Sequence, residues 1–325
     1  MAKAFRFYVT GGPDVLQWED VDVPAPGPGQ LRVRHTAVAV NYRDVLVRNG
    51  IHAVKLPSGL GLEGAGIVET VGADVGDVEV GDRIVCVSGP DGAYAEARLV
   101  PAARAIKLPA TISDRQAAGM MVRGMTARYL VRETYRVGPE SRILVHAAAG
   151  GVGTILCQWA KRLGATVIGA VGSDSKIAVA LGNGCDHVIN YSEGDFSDAV
   201  KELTKGEGVD AVYDSIGRAT FERSARSLRR RGVLISFGEA SGDPDPVPPR
   251  RLGQLGSLYL THPSLPDYTA TRDELLTAAN ELFEMVGSGR IRAEISAEYA
   301  LRDAPRAHAD LETRKTTGAI VLVSQ

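Results

Sequence analysis

The chain has 325 residues, of which 44% are hydrophobic and 23% charged, and its formal net charge at pH 7 is −2. At roughly 100 to 200 residues per domain, this length predicts about two domains. The near-neutral charge argues against a nucleic-acid-binding protein, and no stretch approaches the roughly 18 consecutive apolar residues of a membrane span. The cysteines, Cys86, Cys157 and Cys185, are widely spaced and odd in number, which suits a reducing compartment. We therefore expect a cytoplasmic protein without a nucleic-acid or membrane partner.

Residues 1 to about 120 show the composition of short strands. The segments LRVRHTAVAV, GAGIVETVG, DRIVCVSG and YAEARLV are rich in β-branched residues, and turns containing Gly, Pro and Asp separate them. No CxxC, HExxH or paired-histidine motif occurs in the sequence, so we expect no metal site. This part of the chain is predicted to form a strand-rich, partly barrel-like unit.

From about residue 123 the pattern changes to alternating helix and strand. The predicted order is helix TARYLVRETY, strand SRILVHA, helix VGTILCQWAKRLG, strand ATVIGAVG, helix SKIAVALGNG, strand HVINY, helix FSDAVKELTKG, strand VDAVYDSIG, helix TFERSARSLRRR and strand GVLISFGE. The arginines at 229–231 are expected to be a solvated helix end, and ASGDPDPVPPRR a loop. Repeated units of this kind predict a doubly wound parallel sheet in an α/β fold.

The C-terminal part supplies a short apolar run, GSLYL, a long helix, RDELLTAANELFEMVGSG, and two strand-like segments, AEYAL and GAIVLVS. The last two strands have no place in a closed set of β-α units, so we expect them to pack on the N-terminal unit. The predicted domains are therefore 1–122 together with 263–325, and an inserted nucleotide-binding domain at 123–262.

A glycine-rich loop, HAAAGGVG at 146–153, lies between a predicted strand and a predicted helix. It matches the dinucleotide-binding pattern G-x-G-x-x-G at Ala148, Gly150 and Gly153, with Ala in the first position. A bare turn that opens a helix presents free backbone N–H groups, which suit a phosphate. A plain strand-to-helix turn is the alternative, and the surrounding β-α-β unit favours the nucleotide site.

The end of the next strand indicates which dinucleotide is used. An acidic residue there would hold the ribose hydroxyls of NAD, but Gly172 occupies the position. Ser173 and Lys176 follow it and offer a hydroxyl and a cation to a 2′-phosphate. Lys176 is alternatively one more exposed lysine, and Asp174 is discordant because it can approach a ribose. We predict NADPH as the cofactor.

Several long segments resemble the zinc-independent NADPH:quinone oxidoreductases related to ζ-crystallin, within the medium-chain dehydrogenase/reductase superfamily. They are VNYRDVLVRNG, LPSGLGLEGAGIVETVG, VGDRI, HAAAGGVG, CQWAKRLGA, VINY, VYDSIGR, RRRGVLISFG and GSLYLTHPSL. The resemblance implies a Rossmann-type doubly wound sheet inserted in a GroES-like catalytic domain. Asn41 and Leu62 stand where the zinc-dependent relatives have a cysteine and a histidine ligand, so zinc is not expected.

The resemblance also implies roles for individual residues. Asn41, Tyr42, Arg43 and Asp44 are expected near the nicotinamide and are the candidate catalytic residues. The candidate residues for cofactor binding are Asn41, Thr126, Tyr129, Gly150, Gly151, Val152, Gly172, Ser173, Lys176, Tyr191, Ser215, Phe237, Gly238, Leu260, Thr261 and Arg314. Leu46 and His52 stand where relatives often have tyrosines at the substrate mouth. Asp44 is alternatively a helix cap, and Tyr191 a strand end.

We therefore expect hydride transfer from NADPH to a quinone, with Asn41, Tyr42 and Arg43 nearest to the oxygen that gains charge. No residue is an obvious general acid, so a solvent proton is expected. One alternative is an enone or 2-alkenal reductase, and another is a ζ-crystallin-like NADPH-binding protein with weak turnover. The resemblance further implies a homodimer that pairs edge strands within 254–262.

Overall fold

The computed structural model describes residues 1–87, 92–313 and 316–324. The chain divides into two compact units. The first contains Met1–Val122, Thr269–Gly289 and Ala293–Gln325, and the second contains Arg123–Tyr268 and Arg290–Arg292. Within the described residues, no helix is both long enough and apolar enough to cross a membrane.

The strands, in chain order, are β1 (Ala2–Phe7), β2 (Gln17–Val21), β3 (Gln30–Val40), β4 (Ser58–Gly59), β5 (Gly64–Val71), β6 (Arg83–Cys86), β7 (Ala97–Pro101), β8 (Ala105–Lys107), β9 (Arg142–His146), β10 (Thr166–Val171), β11 (His187–Asn190), β12 (Val209–Asp214), β13 (Leu228–Ser236), β14 (Tyr259–Thr261), β15 (Ile295–Ala300) and β16 (Ala319–Val323). The helices are α1 (Tyr42–Arg48), α2 (Asp114–Tyr129), α3 (Gly151–Arg162), α4 (Ile177–Gly182), α5 (Phe196–Leu203), α6 (Phe221–Ser227), α7 (Pro249–Gln254), α8 (Arg272–Gly287) and α9 (Ala304–Glu312). A π-helical turn, Leu130–Thr134, continues α2.

The first unit is built on the long strand β3, whose alternating small and β-branched residues pack on the core. In the described part of the chain, the main sheet has the order β15-β16-β3-β5-β6-β8, with β7 also paired to β3, and a smaller sheet has the order β2-β1-β4. β16 runs antiparallel to β3, with Val321 opposite Ala39. The C-terminal strands therefore complete the N-terminal sheet. Phe7, Leu60 and Leu322 lie in the buried core beside them.

The second unit is a parallel sheet with strand order β11-β10-β9-β12-β13-β14. β9, β10 and β12 are apolar runs buried on both faces, as helices on both sides of a parallel sheet require. Counted within this sheet, the strand order is 3-2-1-4-5-6, which is that of a doubly wound fold. The order of the strands reverses between β9 and β12, and in such folds ligands bind outside the carboxyl ends of the strands at this point. The predicted fold class is confirmed.

Three local predictions were wrong. The arginines at 229–231 lie in β13, because Leu228 is buried and pairs with Val209 after α6 ends. α7 begins inside the segment predicted to be a loop, and Pro249 at its first position is a common helix start. α2 begins at Asp114, well before residue 123. Ser113 and Gln116 form a capping box at its start, in which each side chain bonds the backbone N–H of the other residue.

Candidate functional site

The N-terminus of α1 holds the candidate catalytic residues. Asn41 is the N-cap, with an extended backbone (φ −108°, ψ 153°), and its backbone N–H donates to Oδ2 of Asp44 at 2.8 Å. An acidic residue three positions after a capping Asn satisfies a donor that the helix leaves unpaired. The short sequence NYRD therefore fixes the backbone conformation at Asn41, and with it the position of the Asn41 Cβ atom.

Glu63 fixes the other end of the Asn41 side chain. Asn41 Nδ2 donates to Oε1 of Glu63 at 2.8 Å, and the backbone N–H of Val122 donates to Oε2 at 2.7 Å. Glu63 is completely buried, and Asn41 is 7% exposed. Sequence reasoning did not select Glu63 as a site residue, although the segment Gly61-Leu62-Glu63 carried part of the resemblance.

The remaining members of the α1 cluster differ in exposure. Asp44 is completely buried, whereas Tyr42 is 39% exposed and Arg43 is half-buried. Leu46 is buried, and its carbonyl accepts the backbone N–H of His52 at 2.9 Å. The structure therefore brings the four candidate catalytic residues together on one helical turn, with Asp44 turned into the protein.

Behind Asp44 lies a set of buried polar side chains that the sequence did not indicate. Tyr94 Oη donates to Asp44 Oδ2 at 3.1 Å and lies 3.0 Å from Nε2 of His308. Arg48 lies 3.0 Å from Nδ1 of His308 and donates to the carboxylate of Glu312 at 2.7 and 3.1 Å. Burial and the nearby charge of Arg48 lower the pKa of His308 to about 3, so this imidazole is neutral.

The glycine loop of the second unit forms the N-terminus of α3. Gly150 is its N-cap and is extended, without a side-chain cap. A Cβ on Gly153 would lie 2.2 Å from the carbonyl oxygen of Ala147, so only glycine lets the helix approach β9 this closely. The N–H groups of a first helical turn attract negative charge. Gly151 and Val152 lie in that turn.

Arg123 was not selected from the sequence but lies beside this loop. A Cβ on Gly151 would be 2.7 Å from Arg123 Nε, and Arg123 is 6% exposed. The arginine therefore adds a positive charge to a helix N-terminus that already favours an anion.

The carboxyl end of β10 has Gly172 in place of the acidic side chain typical of NAD-binding proteins. A Cβ on Gly172 would lie 2.7 Å from the hydroxyl of Tyr191. The discordant Asp174 is exposed, and its Oδ1 accepts a hydrogen bond from Asn190 Nδ2 at 2.9 Å. Ser173 bonds Ser175 through the two hydroxyl oxygens at 3.0 Å, and Lys176 follows in the same turn. This edge presents hydroxyl groups and a cation beside the Asp174 carboxylate.

The other candidate cofactor residues of the second unit lie at the ends of neighbouring strands. Gly238 packs against Ser215, since a Cβ on Gly238 would be 2.9 Å from the Ser215 carbonyl oxygen. Phe237 N–H donates to the carbonyl of Asp214 at 2.9 Å. Leu260 and Thr261 end β14, opposite Leu234 and Ile235 of β13. The structure therefore groups Ser215, Phe237 and Gly238, with Leu260 and Thr261 on the next strand.

A buried network supports the turn after β12. Asp214 accepts the backbone N–H groups of Ile216 and Gly217 at 2.9 and 3.1 Å, and the hydroxyls of Thr220 and Ser224 donate to it. His146, at the end of β9, lies 2.8 Å from the Ser224 hydroxyl. Burial lowers the pKa of His146.

Thr126 and Tyr129 are buried on α2, three residues apart and therefore on the same face of the helix. The Tyr129 ring stacks on Tyr268 with centroids 4.2 Å apart and planes 9° from parallel. Burial raises the pKa of Tyr129, so its phenol stays protonated. Arg314, the last candidate, lies outside the described residues.

Two family models match this chain, one in its N-terminal part and one from the glycine loop onward. The model of the alcohol dehydrogenase GroES-like domain matches residues 27–110, and that of zinc-binding dehydrogenase matches residues 151–281. Quinone oxidoreductase 1 of Escherichia coli (strain K12) is 45% identical over 326 residues, covering 99% of this chain and 100% of that protein. A 2-haloacrylate reductase of Burkholderia sp is 44% identical over 332 residues, all of both chains. The crystal structure of Escherichia coli quinone oxidoreductase complexed with NADPH has 45% identity and a TM-score of 0.97, covering 99% and 100%.

Proposed function

This chain belongs to the quinone oxidoreductase family of the medium-chain dehydrogenases/reductases, and we propose that it reduces quinones at the expense of NADPH. The observation that carries the proposal is identity over nearly the full length of both chains, in a fold whose β10 end suits a 2′-phosphate. When bound, NADPH supplies a hydride, which together with one solvent proton converts a quinone to a hydroquinone.

The second unit holds the cofactor in this proposal. The N–H groups of Gly150, Gly151 and Val152 bind the pyrophosphate, and Arg123 balances its charge. The 2′-phosphate is bound by Ser173, Lys176 and Tyr191, in the space that Gly172 leaves free of a carboxylate. Thr126, Tyr129, Ser215, Phe237, Gly238, Leu260 and Thr261 are proposed to contact the rest of the cofactor, and Arg314 is a further candidate for the phosphate.

Asn41 is the proposed catalytic residue of the first unit. The side-chain amide nitrogen of Asn41 carries two hydrogens, and one of them is donated to Glu63. The other can form a hydrogen bond to the quinone oxygen that gains negative charge. Tyr42 and Arg43 are more exposed and contribute a phenol and a positive charge. Asp44 is buried and bonded to the Asn41 backbone, so we assign it to positioning Asn41.

The residues do not fit the zinc that the name of one matching model implies. Asn41 and Leu62 occupy the positions of two metal ligands in the zinc-dependent relatives, and an amide and an alkyl group are poor zinc ligands. The Glu63 carboxylate already accepts two hydrogen bonds. Among the residues that the structure describes, no cluster of three or more His, Cys, Asp or Glu side chains could hold a metal.

A second candidate is reduction of a carbon–carbon double bond conjugated to a carbonyl group. The full-length relative named 2-haloacrylate reductase favours it. Both reactions deliver a hydride to an electron-poor π system beside an oxygen, so the same Asn41 amide serves either one.

We also propose a homodimer and a cytoplasmic location. β14 is an edge strand, and its Tyr259 and Leu260 are 61% and 37% exposed, which suits pairing with a second copy. The three free, buried thiols suit a reducing compartment. Sedimentation of the wild type and of Tyr259→Lys tests the dimer, because a lysine buried in a paired edge destabilises the pairing and Tyr259 has no proposed contact with the cofactor.

The test of function is steady-state oxidation of NADPH with a quinone and a 2-alkenal as separate acceptors, and NADH as the cofactor control. We expect quinone turnover with NADPH that greatly exceeds turnover with NADH. Asn41→Ala is expected to lose about a hundredfold to a thousandfold in kcat with its NADPH affinity retained. Asn49→Ala, at the exposed C-terminal end of the same helix, is the matched control and keeps its kcat. Equal kcat in both variants would remove Asn41 from the reaction.

A further inference from the structure

A continuous chain of hydrogen bonds leads from Glu312 through the interior of the first unit to Asn41. We call Arg48, His308, Tyr94 and Asp44 the buried polar chain. Each of the four is at most 1% exposed, and every link between neighbours measures 3.0 to 3.1 Å. Glu312 is one-third exposed and neutralises Arg48 at the outer end. At the inner end, Asp44 accepts the Asn41 backbone N–H.

The hydrogen bonds of this chain have one consistent direction. A guanidinium only donates, so Nδ1 of His308 must accept from Arg48. The neutral imidazole then carries its proton on Nε2 and donates it to the Tyr94 oxygen. The Tyr94 hydroxyl hydrogen is left for the Asp44 carboxylate, which can only accept. Arg48 therefore determines the orientation of the Tyr94 hydroxyl through two successive hydrogen bonds, with His308 between them.

Tyr94 also contacts the segment that carries Glu63. Gly61 has a positive φ of 98°, and a Cβ there would lie 2.4 Å from the Tyr94 ring. The backbone N–H of Tyr94 donates to the carbonyl of Leu60 at 2.8 Å. One tyrosine is thus packed against the Glu63 segment through its ring and bonded to the Asn41 turn through its hydroxyl.

Packing alone does not require these side chains. Burying an arginine and a histidine costs several kcal/mol unless every group is bonded, and apolar residues of the same size fill such a space at lower cost. A continuous buried network of hydrogen bonds instead favours one geometry. We propose that Tyr94, oriented by His308 and Arg48, is a positioning residue that holds Asn41 and Glu63 in register for hydride transfer. This inference rests on the proposed role of Asn41.

The test removes one hydroxyl from the chain. Tyr94→Phe keeps the ring against Gly61 and loses the bond to Asp44. Tyr299→Phe is the matched control, because its hydroxyl donates to Asp310 at 2.8 Å in the same unit but outside the buried polar chain. With whichever acceptor the wild type reduces faster, we expect Tyr94→Phe to lower kcat about tenfold with KM for NADPH within twofold. Tyr299→Phe should leave kcat unchanged.

A double variant asks whether Tyr94 acts through Asn41. If it does, Asn41→Ala with Tyr94→Phe is no slower than Asn41→Ala alone, because effects that share one route do not multiply. Multiplying losses would overturn the proposal. An unchanged kcat in Tyr94→Phe, with a loss in Asn41→Ala, would overturn it and leave the proposed function standing. Absence of turnover by the wild type with either acceptor would count against the proposed function.

Nuclear magnetic resonance tests the geometry without turnover. The Nε2-protonated tautomer of His308 is expected in the wild type at neutral pH, and the Asn41 side-chain amide signal should shift in Tyr94→Phe and stay in place in Tyr299→Phe. The opposite tautomer, or an Asn41 signal that ignores Tyr94→Phe, would overturn the proposal even if the wild type reduced no acceptor.

Discussion

We expect acid to destabilise the first unit through two histidines that are buried without charge, His35 and His308. His35 is 1% exposed, and its Nδ1–H donates to the carbonyl of Ala95 at 2.8 Å. Burial, with the charge of Arg98, lowers the pKa of His35 to about 3, and burial beside Arg48 lowers that of His308 to about 3. The same side chains in the unfolded chain titrate near the ordinary value of about 6.5.

The direction of the effect follows from where protons bind. Between about pH 6.5 and about pH 3, each of these histidines is protonated in the unfolded chain and neutral in the folded one. The free energy of unfolding is therefore flat above about pH 7 and falls as the pH falls. At about pH 5 each histidine costs about 2 kcal/mol, so the pair costs about 4 kcal/mol. Carboxyl groups with a lowered pKa, such as Asp82 and Asp186, lose their contribution only below about pH 4.

Urea unfolding between about pH 8 and about pH 5 measures this loss. His35→Gln removes one of these groups, so its loss over the same range should be about 2 kcal/mol smaller than that of the wild type, whatever its stability at about pH 8. A wild-type free energy of unfolding that is equal at the two extremes would refute the reasoning. So would histidine signals of the folded protein that titrate near pH 6.5 at both positions.

Two substitutions test the cofactor unit. Gly153→Ala places a Cβ 2.2 Å from the Ala147 carbonyl oxygen and should lower the free energy of unfolding by about 1 to 3 kcal/mol. The control is Gly182→Ala, whose Cβ has no atom within 4 Å and which should not lower the free energy of unfolding. Urea unfolding of both variants measures the difference. Gly172→Asp should lower the NADPH-over-NADH ratio of kcat/KM at least about tenfold, because a carboxylate repels the 2′-phosphate. Gly172→Ala separates this charge effect from crowding of Tyr191, and an equal ratio in both variants would contradict the reading of this strand end.

The parallel sheet could be predicted because its signals are local. β9, β10 and β12 are short apolar runs between amphipathic segments, and a glycine loop marks the first crossover. β13 was misjudged at its start, because the helical pattern of residues 220–231 extends past the point where Leu228 pairs with Val209. Pairing with a neighbouring strand decided that boundary, and nothing in the local sequence reports it.

The candidate site divides in the same way. Asn41 and Asp44 stand three positions apart in the pattern of a helix N-cap, which can be recognised in the local sequence. The candidate cofactor residues came instead from the resemblance to a known family. Arg48, by contrast, meets His308 and Glu312 from 260 and 264 positions away. A polar residue at the end of a helix predicts exposure when taken alone, and Arg48 is 1% exposed. Only the closure of β16 onto β3, which brings α9 to α1, turns three ordinary surface residues into one buried network.

That closure joins the C-terminal segment to the first unit through side-chain hydrogen bonds as well as through the sheet. α9 contributes His308 and Glu312, and without them the charge of Arg48 and the hydroxyl of Tyr94 would be buried without these partners. An unpaired buried charge costs about 3 to 5 kcal/mol, far more than the loss of a surface ion pair. The position of the Asn41 side chain is therefore coupled to the packing of α9, a helix more than 250 residues later in the chain. If Asn41 has the proposed role, we expect a substitution of His308 or Glu312 in α9 to lower turnover without touching a substrate or a cofactor.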